Sequence, residues 1–200
     1  MEIIDCIQGS GEWFAARRGK VTASHFKDVL NKKAGRGLYM RKVAAELLTD
    51  QTEDSYTNPI IEKGSDTEAE ARECYEHIYH EKVVQVGFVE MNEWVGCSPD
   101  GLIGVEGLAE IKCPLGSTQI DYIMKDAMPP VYVPQVQGQL WVTGRKWCDF
   151  ISYNPYFKNR PLWSKRIQRD EDYIKNLEAA TNLFIKELKE LIAKIEKGVF

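Results

Sequence analysis

Two acidic residues and a lysine form the pattern in this chain that is best suited to chemistry. Asp100 follows Ser98 and Pro99, and Glu110 and Lys112 lie ten and twelve residues after it. If the segment around Glu110 is a β-strand, Glu110 and Lys112 point to the same face. Two carboxylates and a cation on one face can bind a divalent metal ion and stabilise charge on a phosphate. The pattern therefore indicates metal-dependent hydrolysis of a phosphodiester.

A β-hairpin would bring these residues together. The predicted hairpin has residues 100–103 as its first strand, 104–107 as its turn and 108–113 as its second strand, so that Glu110 lies opposite Asp100. Hard oxygen ligands of this kind favour Mg²⁺, and Mn²⁺ is expected to substitute for it. The spacing alone is loose, and an exposed hairpin with a cross-strand ion pair explains it equally well.

A second candidate site lies near the N-terminus. Thr22 and Ser24 are placed to cap a helix predicted over residues 23–30, whose free N–H groups attract anions. An arginine adds bidentate hydrogen bonds to phosphate. Arg17 and Arg18 are adjacent, and the sequence does not distinguish which of them would bind. The alternative is a solvated basic turn that precedes a helix.

Five motifs occur in a fixed order along the chain. They are residues 8–24, which begin Gln-Gly-Ser-Gly-Glu-Trp-Phe, then Gly64 with Glu68 four residues later, residues 98–101, residues 110–114, and Gln135-Val136-Gln137. Together they resemble the phage lambda exonuclease family, also called YqaJ-type viral recombinases or alkaline exonucleases, over about residues 8–153. The resemblance implies an α/β fold: a restriction-endonuclease-like core with a central mixed β-sheet flanked by helices.

The resemblance also implies roles in catalysis. The residues that match the family's metal ligands are Asp100, Glu110, Glu68 and the backbone carbonyl of Ile111. Lys112 matches the catalytic lysine. Gln135 matches a glutamine that helps to position the attacking water, although Gln137 is close enough to be the matching residue instead.

The resemblance further implies how a DNA end is held. Arg17, Thr22 and Ser24 match a pocket that grips the terminal 5′-phosphate. Ile61 falls where the family carries an apolar wedge that parts the end of the duplex. The resemblance implies that the substrate is a double-stranded DNA end.

The implied activity is that of a Mg²⁺-dependent 5′→3′ exonuclease. It would digest one strand of linear duplex DNA to mononucleotides and leave 3′ single strands for recombination. The implied partners are double-stranded DNA ends, further copies of the chain in a homotrimeric ring, and a single-strand annealing protein. Two alternatives stay open: a restriction-type or structure-specific endonuclease with the same core, and a non-catalytic DNA-end-binding recombination accessory protein.

Length and composition set the broad class. The 200 residues are 44% hydrophobic, which suits one globular domain over residues 1–200. The resemblance implies that this is a single nuclease domain, with a catalytic core at about 8–153 and a C-terminal strand and long helix at about 160–198. No apolar run reaches the roughly 20 residues that span a bilayer. We therefore expect a cytoplasmic protein with no membrane partner. The resemblance to the phage exonuclease family further implies a bacterial cell and a gene encoded by a phage or prophage.

Charge is distributed unevenly, and the net charge is −4. Residues 17–42 carry nine Lys or Arg and one acid, and residues 145–169 carry seven Lys or Arg and one acid. Residues 46–90 carry twelve acids and three Lys or Arg. The basic segments are suited to a phosphate backbone, although runs of charge are more often solvated faces.

Hydrophobic periodicity and cap residues predict the remaining elements. The predicted helices cover residues 23–30, 38–49, 59–79, 117–128, 131–143 and 171–197, and the predicted strands outside the hairpin cover 82–90, 148–153 and 162–168. Gln135 and Gln139 are four residues apart and lie on one face of their predicted helix. Ser117 is expected to cap the helix that it begins.

Overall fold

The computed structural model of the chain describes residues 1–31, 34–53 and 59–199, without the side chains of residues 34 and 59–66. The helices are α1 (Gly11–Arg17), α2 (Phe26–Leu30), α3 (Ala34–Thr49), α4 (Pro59–Tyr79), α5 (Gly116–Lys125), α6 (Val133–Thr143) and α7 (Glu171–Lys197). The strands are β1 (Glu2–Ile4), β2 (Val21–Thr22), β3 (Val83–Val84), β4 (Phe88–Asn92), β5 (Val95–Cys97), β6 (Gly101–Ile103), β7 (Gly107–Lys112), β8 (Trp147–Tyr153) and β9 (Leu162–Gln168). In this part of the chain, none of the helices combines the length and apolar composition that crossing a bilayer requires.

The strands form two mixed sheets. The five-stranded sheet has the order β3-β6-β7-β8-β9, and β7 and β8 run parallel while the other neighbours are antiparallel. The four-stranded sheet has the order β1-β4-β5-β2, in which β2 and β5 are the parallel pair. Helices flank both sheets. The predicted α/β class with a mixed sheet is therefore confirmed, and the second sheet is an addition that the sequence did not predict.

β6 and β7 form the predicted hairpin. Gly101 pairs with Ala109, and the same register places Asp100 opposite Glu110. The amide of Asp100 donates to the carbonyl of Ala109 at 3.2 Å, which continues the ladder beyond the end of β6. Gly104 has φ +50° in the turn, a conformation that glycine adopts without strain. The two carboxylates thus meet at one end of the hairpin.

Two helices cover opposite faces of the five-stranded sheet. Tyr75 of α4 packs in one buried cluster with Ile111 of β7. Leu140 of α6 packs in another buried cluster with Leu108 of β7. Because side chains alternate along a strand, Glu110 lies on the face that α6 covers. The local sequence of β7 therefore directs the acid toward α6 and the apolar Ile111 toward α4.

The strand predicted over residues 82–90 is wrong as a single element. The structure divides it into β3, which belongs to the five-stranded sheet, and β4, which belongs to the four-stranded sheet. Gly87 lies between them, and a Cβ at this position would lie 2.3 Å from the carbonyl oxygen of Cys6. The chain can change sheets here because glycine allows this close crossing.

Several helix starts also differ from the predictions. The helix predicted over 23–30 is a 3-10 turn, Ala23–His25, followed by the short α2. α3 begins at Ala34 rather than at residue 38. Ser117 lies inside the first turn of α5 and is not its cap, since Leu115 holds the N-cap position. A 3-10 turn, Pro130–Tyr132, precedes α6, which begins at Val133.

The predicted bounds of α7 are confirmed. Asp170 caps the helix by accepting a hydrogen bond from the amide of Tyr173, and Gly198 ends it at φ +64°. Its apolar stripe includes the buried Leu177 and Phe184, which pack in the core cluster shared with α2, α3 and α6. α7 thus supports α6, the helix that faces Glu110.

Candidate active site

Glu110 is the centre of a dense set of hydrogen bonds. Its side chain is only 1% exposed. Oε1 accepts from Nζ of Lys112 at 2.5 Å and from Nε2 of Gln135 at 2.6 Å, and Oε2 accepts from Nε2 of Gln139 at 2.6 Å. A buried carboxylate requires such partners because burial removes its hydration. α6 therefore supplies two amide donors, one helical turn apart, and β7 supplies the lysine.

Asp100 is less well compensated than Glu110. Its Oδ2 accepts one hydrogen bond, 2.5 Å long, from the amide of Ile111. Burial raises the pKa of Asp100 well above its ordinary value, and the nearby charge of Glu110 raises it further. The charge of Lys112 and the Ile111 hydrogen bond oppose this rise. Negative charge therefore exceeds positive charge at the end of the hairpin, which favours binding of a cation.

Lys112 remains charged at neutral pH. Burial alone would lower its pKa, but attraction by Glu110 and Asp100 raises the pKa above its usual range. The ammonium group lies 5.4 Å from the centre of the Tyr132 ring. Its side chain is 27% exposed, so it also reaches solvent. A charged, partly exposed lysine next to two carboxylates can contact a phosphate that enters the site.

Glu68 approaches the same site from α4. Its side chain is half-buried, and burial raises its pKa above the ordinary value. Lys112 and Arg72 lower the pKa, whereas the charge of Glu110 raises it. The charges of Glu68 and of the carboxylate pair therefore influence one another.

The chemistry of these donors fits a hard divalent cation. Asp100 and Glu110 offer oxygen atoms only, their charges are not balanced by Lys112, and Mg²⁺ prefers such ligands. As the described side chains stand, no three His, Cys, Asp or Glu residues converge closely enough to hold a metal ion. Two adjacent carboxylates are thus in place, and the further predicted ligands are Glu68 and the carbonyl of Ile111.

The structure distinguishes the glutamines of α6. Gln135 contacts Glu110, as expected for a residue of the site. Gln137 instead donates to the carbonyl of Gln168 and accepts from the amide of Asp170, both at 2.9 Å. It therefore joins α6 to the segment between β9 and α7. Gln139, to which the sequence assigned no role, contacts Glu110; its spacing of four residues from Gln135 was the signal.

The predicted phosphate pocket is centred on Arg17. Nη1 of Arg17 donates to Oγ of Ser98 at 3.2 Å, and Nε1 of Trp13 donates to the same oxygen at 2.8 Å. The Arg17 guanidinium lies 4.1 Å from the centre of the Trp13 ring. Ser98 belongs to the motif of residues 98–101, and its position in this pocket was not predicted. Its hydrogen bonds show that it holds both side chains.

A cavity of about 160 Å³ is lined both by residues of this pocket and by the two glutamines that donate to Glu110. Its lining residues are Gln8, Trp13, Arg17, Ala23, Ser24, Ser98, Gln135 and Gln139. Arg17 and the two glutamines that hold Glu110 thus line the same cavity. The structure thus brings Arg17 and Ser24 together with Gln135.

Thr22 and Arg18 differ from expectation. Neither the 3-10 turn nor α2 has a side-chain cap, so the predicted capping by Thr22 and Ser24 is wrong. The Thr22 and Ser24 hydroxyls lie 3.3 Å apart instead. Arg18 contacts Asp50 at 2.5 Å and Thr52 at 3.2 Å, outside the cavity.

Ile61, the predicted wedge residue, lies in α4, and its side chain is outside the described part of the chain. The prediction for Ile61 therefore rests on the sequence.

Comparison with known proteins connects this site to a family. Residues 12–146 match the YqaJ-like viral recombinase domain, and this match covers more than half of the chain. The chain belongs to the YqaJ-like viral recombinase family. In this YqaJ-like chain, 70 residues are also 31% identical to the protein ExoD of Escherichia coli (strain K12) and cover 80% of it.

Solved structures show the same relationship. The YqaJ-like chain is 38% identical to an alkaline exonuclease, LHK-Exo, from Laribacter hongkongensis, with a TM-score of 0.88 over 94% of this chain and 97% of that one. LHK-Exo in complex with dAMP gives a TM-score of 0.89 over the same shares. A phage-related exonuclease from Haemophilus somnus 129PT shares the fold at 16% identity, with a TM-score of 0.68 over 88% of this chain and 96% of that one. The predicted family and fold are confirmed, and they support a nuclease of the exonuclease type.

Proposed function

We propose that this YqaJ-like protein is a Mg²⁺-dependent 5′→3′ exonuclease acting on ends of double-stranded DNA. It digests one strand to mononucleotides and leaves 3′ single-stranded tails for recombination. The observation that carries the proposal is the cavity lined by both Arg17 and Gln135. A cationic fork that can hold a terminal phosphate lies beside residues that hold a catalytic carboxylate, as removal of nucleotides from an end requires.

Asp100, Glu110 and Glu68, with the carbonyl of Ile111, would hold the metal. When bound, Mg²⁺ supplies polarisation of the phosphate and a water of lowered pKa. Mn²⁺ can substitute because it accepts the same hard oxygen ligands. The chain places Asp100 and Glu110 opposite each other and orients Glu110 from both of its oxygens.

Lys112 and Gln135 act next to the metal ligands. Lys112 is charged and partly exposed, so it can stabilise the negative charge that develops on the phosphate. Gln135 shares an oxygen of Glu110 with Lys112, and it thereby fixes the side from which water approaches. Both roles depend on the register of β7 in its sheet and on which face of α6 is turned toward Glu110.

Arg17, Ser24 and Ser98 would hold the 5′-phosphate, and the Thr22 hydroxyl lies 3.3 Å from that of Ser24. Arg17 is oriented by Ser98 and by the Trp13 ring, so its donors are arranged before a phosphate arrives. The structure of LHK-Exo with dAMP supports a mononucleotide as the product. Holding the 5′ end sets the direction of digestion.

The proposal extends to assembly. Residues 1–200 act as one nuclease domain, and the basic segments 17–42 and 145–169 follow the phosphate backbone of the duplex. Further copies form a homotrimeric ring, and a single-strand annealing protein receives the 3′ tail. Light scattering measures the first of these interactions, and co-purification with the annealing protein measures the second.

Digestion of linear duplexes with 5′-phosphate or 5′-hydroxyl ends, beside closed circular DNA, tests the activity in Mg²⁺ and in Mn²⁺. We expect nucleotides to be lost from phosphorylated ends while circles stay intact. Nicked circles would identify an endonuclease instead. Binding without cleavage in either metal would identify an accessory protein.

Matched variants test the assigned residues. Lys112→Met removes charge stabilisation and should lower kcat by about 10²–10³-fold, while DNA binding in Ca²⁺ is retained. Arg17→Ala should remove the preference for phosphorylated ends, whereas Arg18→Ala, which loses its contacts to Asp50 and Thr52, should keep it. If Arg18→Ala lost this preference and Arg17→Ala kept it, Arg18 would be the arginine that binds the 5′-phosphate.

A further inference from the structure

We propose that Gln139 is a positioning residue that couples the cavity beside Arg17 to the catalytic carboxylate. Its amide nitrogen holds Oε2 of Glu110, and its amide oxygen accepts a hydrogen bond from a water molecule in the cavity. This inference rests on the proposed function and names a residue that determines how an end phosphate affects cleavage.

The hydrogen bonds of Glu110 show what Gln139 controls. A carboxylate oxygen can accept about two hydrogen bonds. Oε1 already accepts from both Lys112 and Gln135, whereas Oε2 accepts from Gln139 alone among the described residues. The acceptor site that remains for a cation is therefore on Oε2. Gln139 determines the direction in which that site faces.

The amide oxygen of Gln139 requires a donor. Gln139 is 1% exposed, and its Oε1 is the buried side-chain polar atom without a hydrogen-bond partner in the described part of the chain. Rotating the amide would supply no remedy, because it would turn the oxygen toward Glu110 and lose the bond at 2.6 Å. Buried acceptors are almost always paired. A donor that comes from outside the chain's own side chains is therefore expected.

The cavity provides the room for that donor. Gln139 lines it together with Arg17, Ser24, Ser98 and Gln135, and its volume is about 160 Å³. One water molecule needs roughly 10–15 Å³ of such space, so the cavity accommodates several waters or a phosphate group with water beside it. An acceptor oxygen repels a phosphate oxygen and attracts a water proton. Gln139 therefore favours water on its own side and phosphate on the side of Arg17.

One side chain thus contacts both halves of the site. A phosphate that displaces or orients the cavity water changes the hydrogen bond to Oε1 of Gln139. Since the amide is planar, this change reaches Nε2 and its bond to Glu110. The geometry explains how occupancy of the end pocket can affect the position of a metal ligand without direct contact between Arg17 and Glu110.

The test compares Gln139→Met with Gln137→Met. Gln139→Met removes the amide and keeps the length of the side chain. Gln137 is the matched control: it is buried on the same helix, and its amide bonds to Gln168 and Asp170 rather than to Glu110. Gln139→Ser is a second variant, whose small side chain leaves room for water and is too short to reach Glu110.

Three quantities are measured for each protein. They are the dissociation constant of Mn²⁺ by calorimetry without DNA, the ratio of kcat on 5′-phosphate ends to kcat on 5′-hydroxyl ends, and the melting temperature. We expect the Gln139 variants to bind Mn²⁺ about 10–100-fold more weakly, as partners of metal ligands typically do when removed, and the kcat ratio to fall toward one. Gln137→Met should lower the melting temperature while both other quantities stay within twofold of the unsubstituted protein.

Unchanged Mn²⁺ affinity in a folded Gln139 variant would overturn the proposal. Weakened Mn²⁺ binding with an unchanged kcat ratio would also overturn it, because the coupling to the cavity would be missing. If the unsubstituted protein digests no duplex, the proposed function fails, yet the Mn²⁺ comparison still decides whether Gln139 positions Glu110. Should Gln139→Met fail to fold, Gln139→Ser gives the same decision.

Discussion

The two carboxylates of the site should affect stability in opposite directions. Asp100→Asn is expected to stabilise the metal-free protein, and Glu110→Gln is expected to destabilise it. Asp100 is partly buried beside another acid and accepts one hydrogen bond from Ile111, which an asparagine oxygen can also accept. Glu110 is 1% exposed and accepts from Lys112 and two glutamines, and the amide of a glutamine cannot accept all three bonds.

The expected magnitudes follow from these contacts. Breaking a buried ion pair by removing one partner costs about 3–5 kcal/mol. In a chain of this size each kcal/mol corresponds to roughly 2–4 °C, so Glu110→Gln should lower the melting temperature by roughly 6–20 °C. Removing unfavourable charge at a functional site commonly gains about 0.5–2 kcal/mol. Asp100→Asn should therefore raise the melting temperature by roughly 1–8 °C.

The direction of the Asp100 pKa shift predicts how the stability difference between Asp100→Asn and the unsubstituted protein changes with pH. The pKa of Asp100 is higher in the folded protein than in the unfolded chain, because of burial and the charge of Glu110. The folded state therefore binds more protons between the unfolded value, about 3.9, and the raised value. The contribution of Asp100 to the free energy of unfolding is fully present below the pKa that it has in the unfolded chain. This contribution is lost as the pH rises through the higher pKa that it has in the folded protein. The advantage of Asp100→Asn should grow with pH over this window.

Thermal unfolding monitored by tryptophan fluorescence checks the melting temperatures of both variants at pH 5 and pH 8 in EDTA. Added Mg²⁺ should then stabilise the unsubstituted protein, since a ligand of the folded state raises its stability, and should leave Asp100→Asn nearly unchanged. If Asp100→Asn were less stable than the unsubstituted protein at pH 8 in EDTA, the charge imbalance inferred for the site would be wrong.

Two further predictions concern the packing around the site. In Gly138→Ala the new Cβ would lie 2.1 Å from the ring of Phe26, so we expect overpacking to lower the free energy of unfolding by about 1–3 kcal/mol and a shift of α6 to lower kcat. Gly11→Ala is the control, because its new Cβ meets open space. Equal stability of the two variants would contradict the reasoning. Burial raises the pKa of the Cys97 and Cys148 thiols, so neither should react with a thiol reagent at pH 8 until urea unfolds the chain. Labelling of either cysteine in the folded protein would show that the core opens.

Local patterns predicted the elements that carry the acids. Alternation along β7 and the turn at Gly104 determine the hairpin register, and this register alone places Asp100 opposite Glu110. Helical spacing likewise puts Gln135 and Gln139 on one face. These features depend on neighbours within a few residues, and the sequence shows such neighbours directly.

Features that depend on distant segments were not predictable in the same way. Ser98 accepts a hydrogen bond from Trp13, 85 residues earlier in the chain, and no local pattern indicates that these two residues meet. The division of the strand predicted over 82–90 depends on the approach of Gly87 to Cys6. Gln137 could be excluded from the site only when its bonds to the segment after β9 were known.

A comparison of two acids in or beside the five-stranded sheet supports the proposal that the active site lies at the end of the hairpin. Asp149 lies beside Ala109 in the register of β8 and β7. It accepts two hydrogen bonds from Arg166, both at 2.8 Å, and a third from Tyr75 at 2.5 Å. Its charge is compensated by the fold itself, as buried acids in stable cores require.

Asp100 has no comparable compensation among the described residues, since its nearest charged neighbours are Glu110, Lys112 and Glu68 and two of these repel it. The same sheet therefore contains one acid that the fold satisfies completely and another that it leaves with excess negative charge. The unsatisfied acid costs stability, and a divalent cation would recover that stability on binding. Because structural ion pairs such as Asp149 with Arg166 are already balanced, it is the imbalance at Asp100, rather than the mere presence of buried charge, that supports the proposal of an active site at the end of the hairpin.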